Sequence, residues 1–323
     1  MHNDNPAPRA RLLSLLVAAA CGGLSATAAA DPAITLTAAY ALNGVAVPDA
    51  LPEGSIFATP EGADFYLNRG EGGSSVFFHT YGFVGSPTYF GARASGEGLD
   101  FYAKTSALYS GTYTNTTGSA VMLNFGFNLE GGEVALWGDG DGMANLRLQI
   151  RRNGQVVSQG DTLVTQSGAN FSCLESDIGA LGAWAGCAAA TSNHVHGAGG
   201  AYSVDMGLVA AGETITIDYD IVSTVSGQYV GGAVGSGDCY GGYGGYGEAV
   251  ALAEDTPHMA CVIYNGIARS GDPFDGNGLG PSADFSLTAT AVALPEPGSL
   301  ALLAAAGGGG WLGWRRRRGG RPG

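Results

Sequence analysis

The stretch Ser119-Ala-Val-Met-Leu-Asn-Phe-Gly-Phe-Asn-Leu129 decides the fold class. In it Val121, Leu123, Phe125, Phe127 and Leu129 alternate with Met122, Asn124, Gly126 and Asn128. Successive side chains of a strand point to opposite faces, so a period of two describes a strand with one apolar and one more polar side. The period returns in Leu146, Leu148 and Ile150 against Arg147, Gln149 and Arg151, and in Ile215, Ile217, Tyr219 and Ile221 against Thr216, Asp218 and Asp220. Asn153-Gly154 reads as a two-residue hairpin turn into Gln155–Ser158. Further strands are expected over Ala33–Tyr40, Val76–Phe83, Leu99–Ala107, Glu133–Trp137, Asp161–Gln166, Ala201–Val209, Ala260–Ile267 and Ala283–Val292. Leu174–Trp184 is the one short helical candidate. Many short half-buried strands imply an all-β chain, an antiparallel β-sandwich or jelly roll with Gly-rich loops.

Composition agrees. The 323 residues include 56 Gly and 13 Pro, about one residue in five, which favours frequent turns. Hydrophobic residues at 45% suffice for a core and exclude a fully disordered chain. Charged residues are only 13%, too few for a coiled coil or a charged helical bundle.

The two ends differ in kind from the middle. Residues 1–30 carry Arg9 and Arg11, an apolar run Leu12–Ala20, and Ala28-Ala29-Ala30 before Asp31. A basic start, a short apolar run and an A-x-A end read as a secretory signal peptide, the substrate of signal peptidase. Cys21 admits a rival reading as a lipidated first residue, but no Leu stands three residues ahead of it. At the other end, Pro295-Glu296-Pro297-Gly298 precedes the small, apolar stretch Ser299–Trp314, then Arg315, Arg316, Arg317 and Arg318. An apolar segment followed by an Arg block stops translocation and leaves the Arg side in the cytoplasm, so the tail reads as a C-terminal membrane anchor.

Those three parts, in that order, resemble the PEP-CTERM sorting tail of bacterial exosortase substrates. The resemblance covers residues 295–323 and does not extend to the body. It implies recognition of Pro295, Glu296 and Pro297 by a membrane-embedded exosortase. It also implies removal of the tail, and release or surface attachment of the body in bacteria that make exopolysaccharide and form biofilms. The expected organisation is a signal peptide over 1–30, one β-sandwich domain over 31–294 and the sorting tail over 295–323. The expected location is outside the cytoplasmic membrane, by way of a transient transmembrane anchor.

Residues 31–294 hold 26 acidic and seven basic residues, a net charge of −19. Such a surface repels nucleic acid and anionic membrane, so no nucleic-acid partner is expected. Cys173, Cys187, Cys239 and Cys261 form an even set, which in an exported chain suggests two disulfides. Four cysteines allow three pairings; Cys173–Cys187 with Cys239–Cys261 is preferred because each would staple a Gly-rich excursion.

Three loops hold candidate binding residues. Asp139 and Asp141 in Gly138-Asp-Gly-Asp-Gly142 offer closely spaced carboxylates for Ca²⁺, although EF-hand spacing fails at Met143 and a tight turn explains the motif without an ion. Asp275-Gly-Asn-Gly278 is a weaker case. His194 and His196 lie on one face of a strand, within reach of one metal, but no third ligand such as His258 can be placed beside them. They read first as surface residues beside Gly197–Gly200. Tyr240, Tyr243 and Tyr246, in a Gly-rich loop, suit stacking on sugar rings; a low-complexity loop without a ligand is the plainer reading.

No G-x-S-x-G is present, and Asp218 and Asp220 fall on the outer face of one strand rather than across a cleft. The preferred expectation is a non-catalytic cell-surface or extracellular-matrix protein in contact with exopolysaccharide, needing no cofactor. The alternative is a secreted polysaccharide-acting hydrolase or lyase.

Overall fold

The computed structural model describes residues 33–47, 55–59, 62–83, 89–129, 131–182, 186–187, 193–197, 199–230, 237–239, 261–270 and 285–292. Residues 1–30 and 295–323, read from sequence as a signal peptide and a sorting tail, lie outside these residues, as do His258, the Asp275–Gly278 motif and the Tyr240–Tyr246 loop.

Alternation becomes burial. The residues of Val121–Leu129 that the period assigns inward are all buried. Strands numbered in chain order form three main sheets, every pairing antiparallel. The first sheet runs β12 (Asn170–Glu175), β11 (Gln155–Ser167), β10 (Gly140–Arg152), β15 (Thr214–Tyr229), β7 (Phe101–Thr114), β1 (Ala33–Leu42) and β2 (Val45–Val47). The second runs β13 (His194–Gly197), β9 (Gly132–Leu136), β18 (Gly266–Ser270), β6 (Tyr89–Gly98), β5 (Ser74–Phe83), β4 (Gly62–Glu71) and β3 (Ser55–Thr59). A third holds β14 (Gly200–Val209), β8 (Val121–Leu129) and β19 (Ser286–Ala291), and β16 (Gly237–Cys239) pairs with β17 (Cys261–Ile263).

The first sheet forms one layer of a sandwich; the second and third lie against it. Buried hydroxyls tie the layers: Ser223 Oγ of β15 donates to the carbonyl of Ala92 in β6 at 3.0 Å, and Thr80 Oγ1 of β5 to that of Ser106 in β7 at 3.0 Å. Where the second and third sheets meet, Tyr219 of β15 takes rings from both. Its centroid is 5.0 Å from Phe90 of β6 and 4.8 Å from Phe127 of β8. Phe285 stands edge-on to Phe90 at 5.9 Å and to Tyr219 at 5.9 Å. Aromatic pairs of this kind add about 0.5–1.5 kcal/mol each beyond burial.

Local readings are corrected at four places. Gln155–Ser158 and Asp161–Gln166 are one continuous strand, β11, and the strand expected from Leu99 begins at Phe101, after a bend at Leu99-Asp100. Ala260–Ile267 breaks into β17 and β18, because Asn265 turns its amide to the Trp137 carbonyl and accepts from the Gly98 N–H. The described part of Leu174–Trp184, to Gly182, is no α-helix: Leu174 and Glu175 end β12, and Gly179–Leu181 makes a single 3₁₀ turn. Leu181 anchors that turn in the core, and its N–H is taken by Ser158 Oγ at 2.9 Å.

Candidate functional site

Register builds what sequence spacing does not display. Across β13, β9, β18, β6 and β5 the directly opposed residues are His196, Glu133, Arg269, Arg93 and His79. Opposed residues share a face, and this is the face turned away from the first sheet, since Val134, Ala268, Ala94 and Phe78 take the core side. Glu133 joins two neighbours: Arg269 Nε reaches Glu133 Oε2 at 2.7 Å, and His194 Nε2 stands 2.7 Å from Glu133 Oε1. Arg93 lies over two rings, its guanidinium carbon 5.0 Å from the Phe77 centroid and 5.2 Å from that of Tyr264. His79 stacks on Tyr81 at 5.0 Å. Glu133, Arg93 and His79 are buried, whereas the row opens to solvent at His196.

That open end is the candidate site. Val195 is buried and holds β13 against β9, so His194 and His196 both point outward, ring centroids 4.0 Å apart. Trp137 sits edge-on to His194 at 5.4 Å. Burial is the main reason His194 titrates below its ordinary value; Glu133 opposes this, while His196 and Arg269 reinforce it. Among the described residues no three His, Cys, Asp or Glu side chains stand together as a metal cluster.

The acidic motif has a packing role. Gly140 and Gly142 lie against the buried ring of Tyr229, where a Cβ at either position would collide with it, as would one at Gly227. Asp139 and Asp141 are exposed, and Asp141 Oδ1 accepts from the Gly168 N–H at 3.2 Å. Gly140 and Gly142 therefore answer to Tyr229, while Gly138 takes a φ of 96° beside Asn265.

Asp218 and Asp220 share the outer face of β15, as alternation requires, and both are engaged. Ser110 Oγ donates to Asp218 Oδ1 at 2.7 Å, while Arg151 and Arg147 approach Asp220 Oδ2 at 3.2 and 3.6 Å. The third sheet carries a groove of about 320 Å³ over Gly126, lined by Asn124, Asn128, Ser203, Ser286 and Thr288. Its polar lining is amide and hydroxyl, Phe127, Ala201 and Tyr202 complete it, and none of these residues is charged.

Of the cysteines, Cys173 and Cys187 form a disulfide with Cα atoms 5.5 Å apart. Cys239 and Cys261 are direct backbone partners in the β16–β17 ladder. Sequence reasoning missed Glu133, Arg269, Arg93 and His79. The available signal was an ionisable residue set among apolar or small neighbours, as in Val76-Phe-Phe-His79 and Gly132-Glu-Val-Ala-Leu136.

No family model matches the chain, and no curated protein or solved structure is similar to it. Among the described residues, no helix is long and apolar enough to cross a membrane.

Proposed function

We propose that the chain is an exported, non-catalytic cell-surface or extracellular-matrix protein, delivered by an exosortase that acts at Pro295-Glu296-Pro297. One observation carries this reading: the tripeptide, the apolar segment Ser299–Trp314 and Arg315–Arg318 occur in the order that sorting and stop-transfer require. Three features of the body support it. The Cys173–Cys187 disulfide suits an oxidising compartment. The acidic balance of residues 31–294 suits a secreted surface. The uncharged groove over Gly126, rich in amides and hydroxyls, suits contact with the hydroxyls of an exopolysaccharide.

In the producing bacterium, the extracellular form should lack Trp311, Trp314 and the Arg block. Intact-mass measurement decides it, with an exosortase-deficient strain as control. A C-terminus extending to Gly323 in the extracellular form would count against exosortase handling.

A further inference from the structure

We propose that His194 and His196 form a two-imidazole site for a divalent transition-metal ion, with Cu²⁺ taken in preference to Zn²⁺. The site requires two side chains on one strand, and the backbone already holds them together. Residues i and i+2 share a face, Val195 between them is locked in the core, and the ring centroids lie 4.0 Å apart. Bringing the two donors to one ion therefore costs no loop closure.

The second argument is the support behind the first ring. A metal-bound imidazole ordinarily gives its other N–H to a carboxylate, which fixes tautomer and orientation. Glu133 is placed for that part: its Oε1 is 2.7 Å from His194 Nε2, and its other oxygen is held by Arg269 at 2.7 Å. Glu133 is itself only 7% exposed, so its position is set by the fold rather than by solvent. With Glu133 Oε1 beside His194 Nε2, Nδ1 is the ring nitrogen that would ligate the ion.

Chemistry selects the ion. Two nitrogens on an edge strand leave the other coordination positions to water, a tetragonal N,O arrangement that suits Cu²⁺, and Cu²⁺ also heads the affinity order for imidazole. Ca²⁺ and Mg²⁺ prefer oxygen ligands and are excluded from this site by the same logic. The nearby positive charge of Arg269 opposes a cation, and its pairing with Glu133 offsets that charge.

The test uses the exported protein, stripped with chelator and titrated with Cu²⁺ under electron paramagnetic resonance and tryptophan emission. One equivalent should bind with a spectrum of two equatorial imidazole nitrogens. Emission should fall, because Trp137 lies beside His194, and Trp137→Phe should remove that quenching while leaving the resonance spectrum intact. His196→Gln, an exposed change that leaves the fold untouched, should lower affinity at least about tenfold, and Glu133→Gln should lower it by about 10–100-fold. An unchanged stoichiometry and spectrum in His194→Gln/His196→Gln would overturn the proposal by placing the copper at His79, His258 or elsewhere. Absence of binding in the parent would overturn it equally.

Discussion

Asn115 shows how much one buried polar side chain can organise. It is fully buried at the end of β7, and its Nδ2 lies within 2.9–3.0 Å of the carbonyls of Ser119, Val209 and Ala210. Its Oδ1 accepts from the Thr117 N–H at 3.0 Å and from Thr117 Oγ1 at 2.6 Å. The ends of β7, β8, β14 and β15 thus meet on one amide. Asn115→Ala would strand buried carbonyls and should cost about 2–4 kcal/mol, read from the midpoint shift in urea unfolding. Tyr229 makes a different prediction. Burial, aided by the charge of Asp141, pushes its phenol up to about 12 from an ordinary 10. Between these values the unfolded chain has released the proton while the folded chain still holds it, so the folded state binds more protons and stability falls as pH rises. This contribution is intact below pH 10 and is lost through about pH 12. Tyr229→Phe, which removes a hydroxyl without a hydrogen-bond partner among the described residues, should flatten that alkaline limb in unfolding measured from pH 9 to 12.

At the scale of the element, glycine acts in two separable ways. Asn153 and Gly154 turn β10 into β11 with φ of 49° and 78°, the pair of positive values a two-residue hairpin demands. A Cβ at Gly154 would meet open space, so Gly154→Ala should cost only the backbone strain, about 1 kcal/mol. Gly142 lies within β10 without that strain, but a Cβ there would run into Tyr229 Oη. Gly140 and Gly227 leave room for the same ring, and Phe101 stacks on it at 6.1 Å. Gly142→Ala should therefore cost more, about 1–3 kcal/mol, by displacing the ring. Chemical denaturation of the two variants side by side checks the order; a larger loss at Gly154 would refute this account of the Gly-Asp motif.

For the whole molecule, the Cys173–Cys187 bridge ties the end of β12 to the chain 14 residues later. Closing a loop of that length should stabilise the fold by about 3 kcal/mol, so reduction or Cys187→Ser should lower unfolding free energy by about 2–4 kcal/mol. Equal stability with and without reductant would show the bridge to be incidental. Much of the sandwich was legible in the chain, because side-chain alternation is a local property of a strand: β8, the second half of β10 and the first half of β15 follow from period two, and β1, β5, β14 and β19 fall on the further strands expected. Strands such as β6, Tyr89–Gly98, were not legible, since the run Gly91-Ala-Arg-Ala-Ser-Gly96 carries little apolar contrast until neighbouring sheets bury it. The pair His194 and His196 was visible at its i, i+2 spacing, but Glu133 and Arg269 were not. They reach the site through hydrogen-bonded register with strands 60 or more residues away in sequence. The sequence by itself determined strand content, inward and outward faces, the hairpin at Asn153-Gly154 and the preference for Cys173 with Cys187. Only the tertiary structure decided the division of one layer into two sheets, the meeting of strand ends on Asn115, and the polar row running from His196 to His79. Alternation is written in neighbouring residues, whereas register is set by which distant strands can bury their apolar faces together.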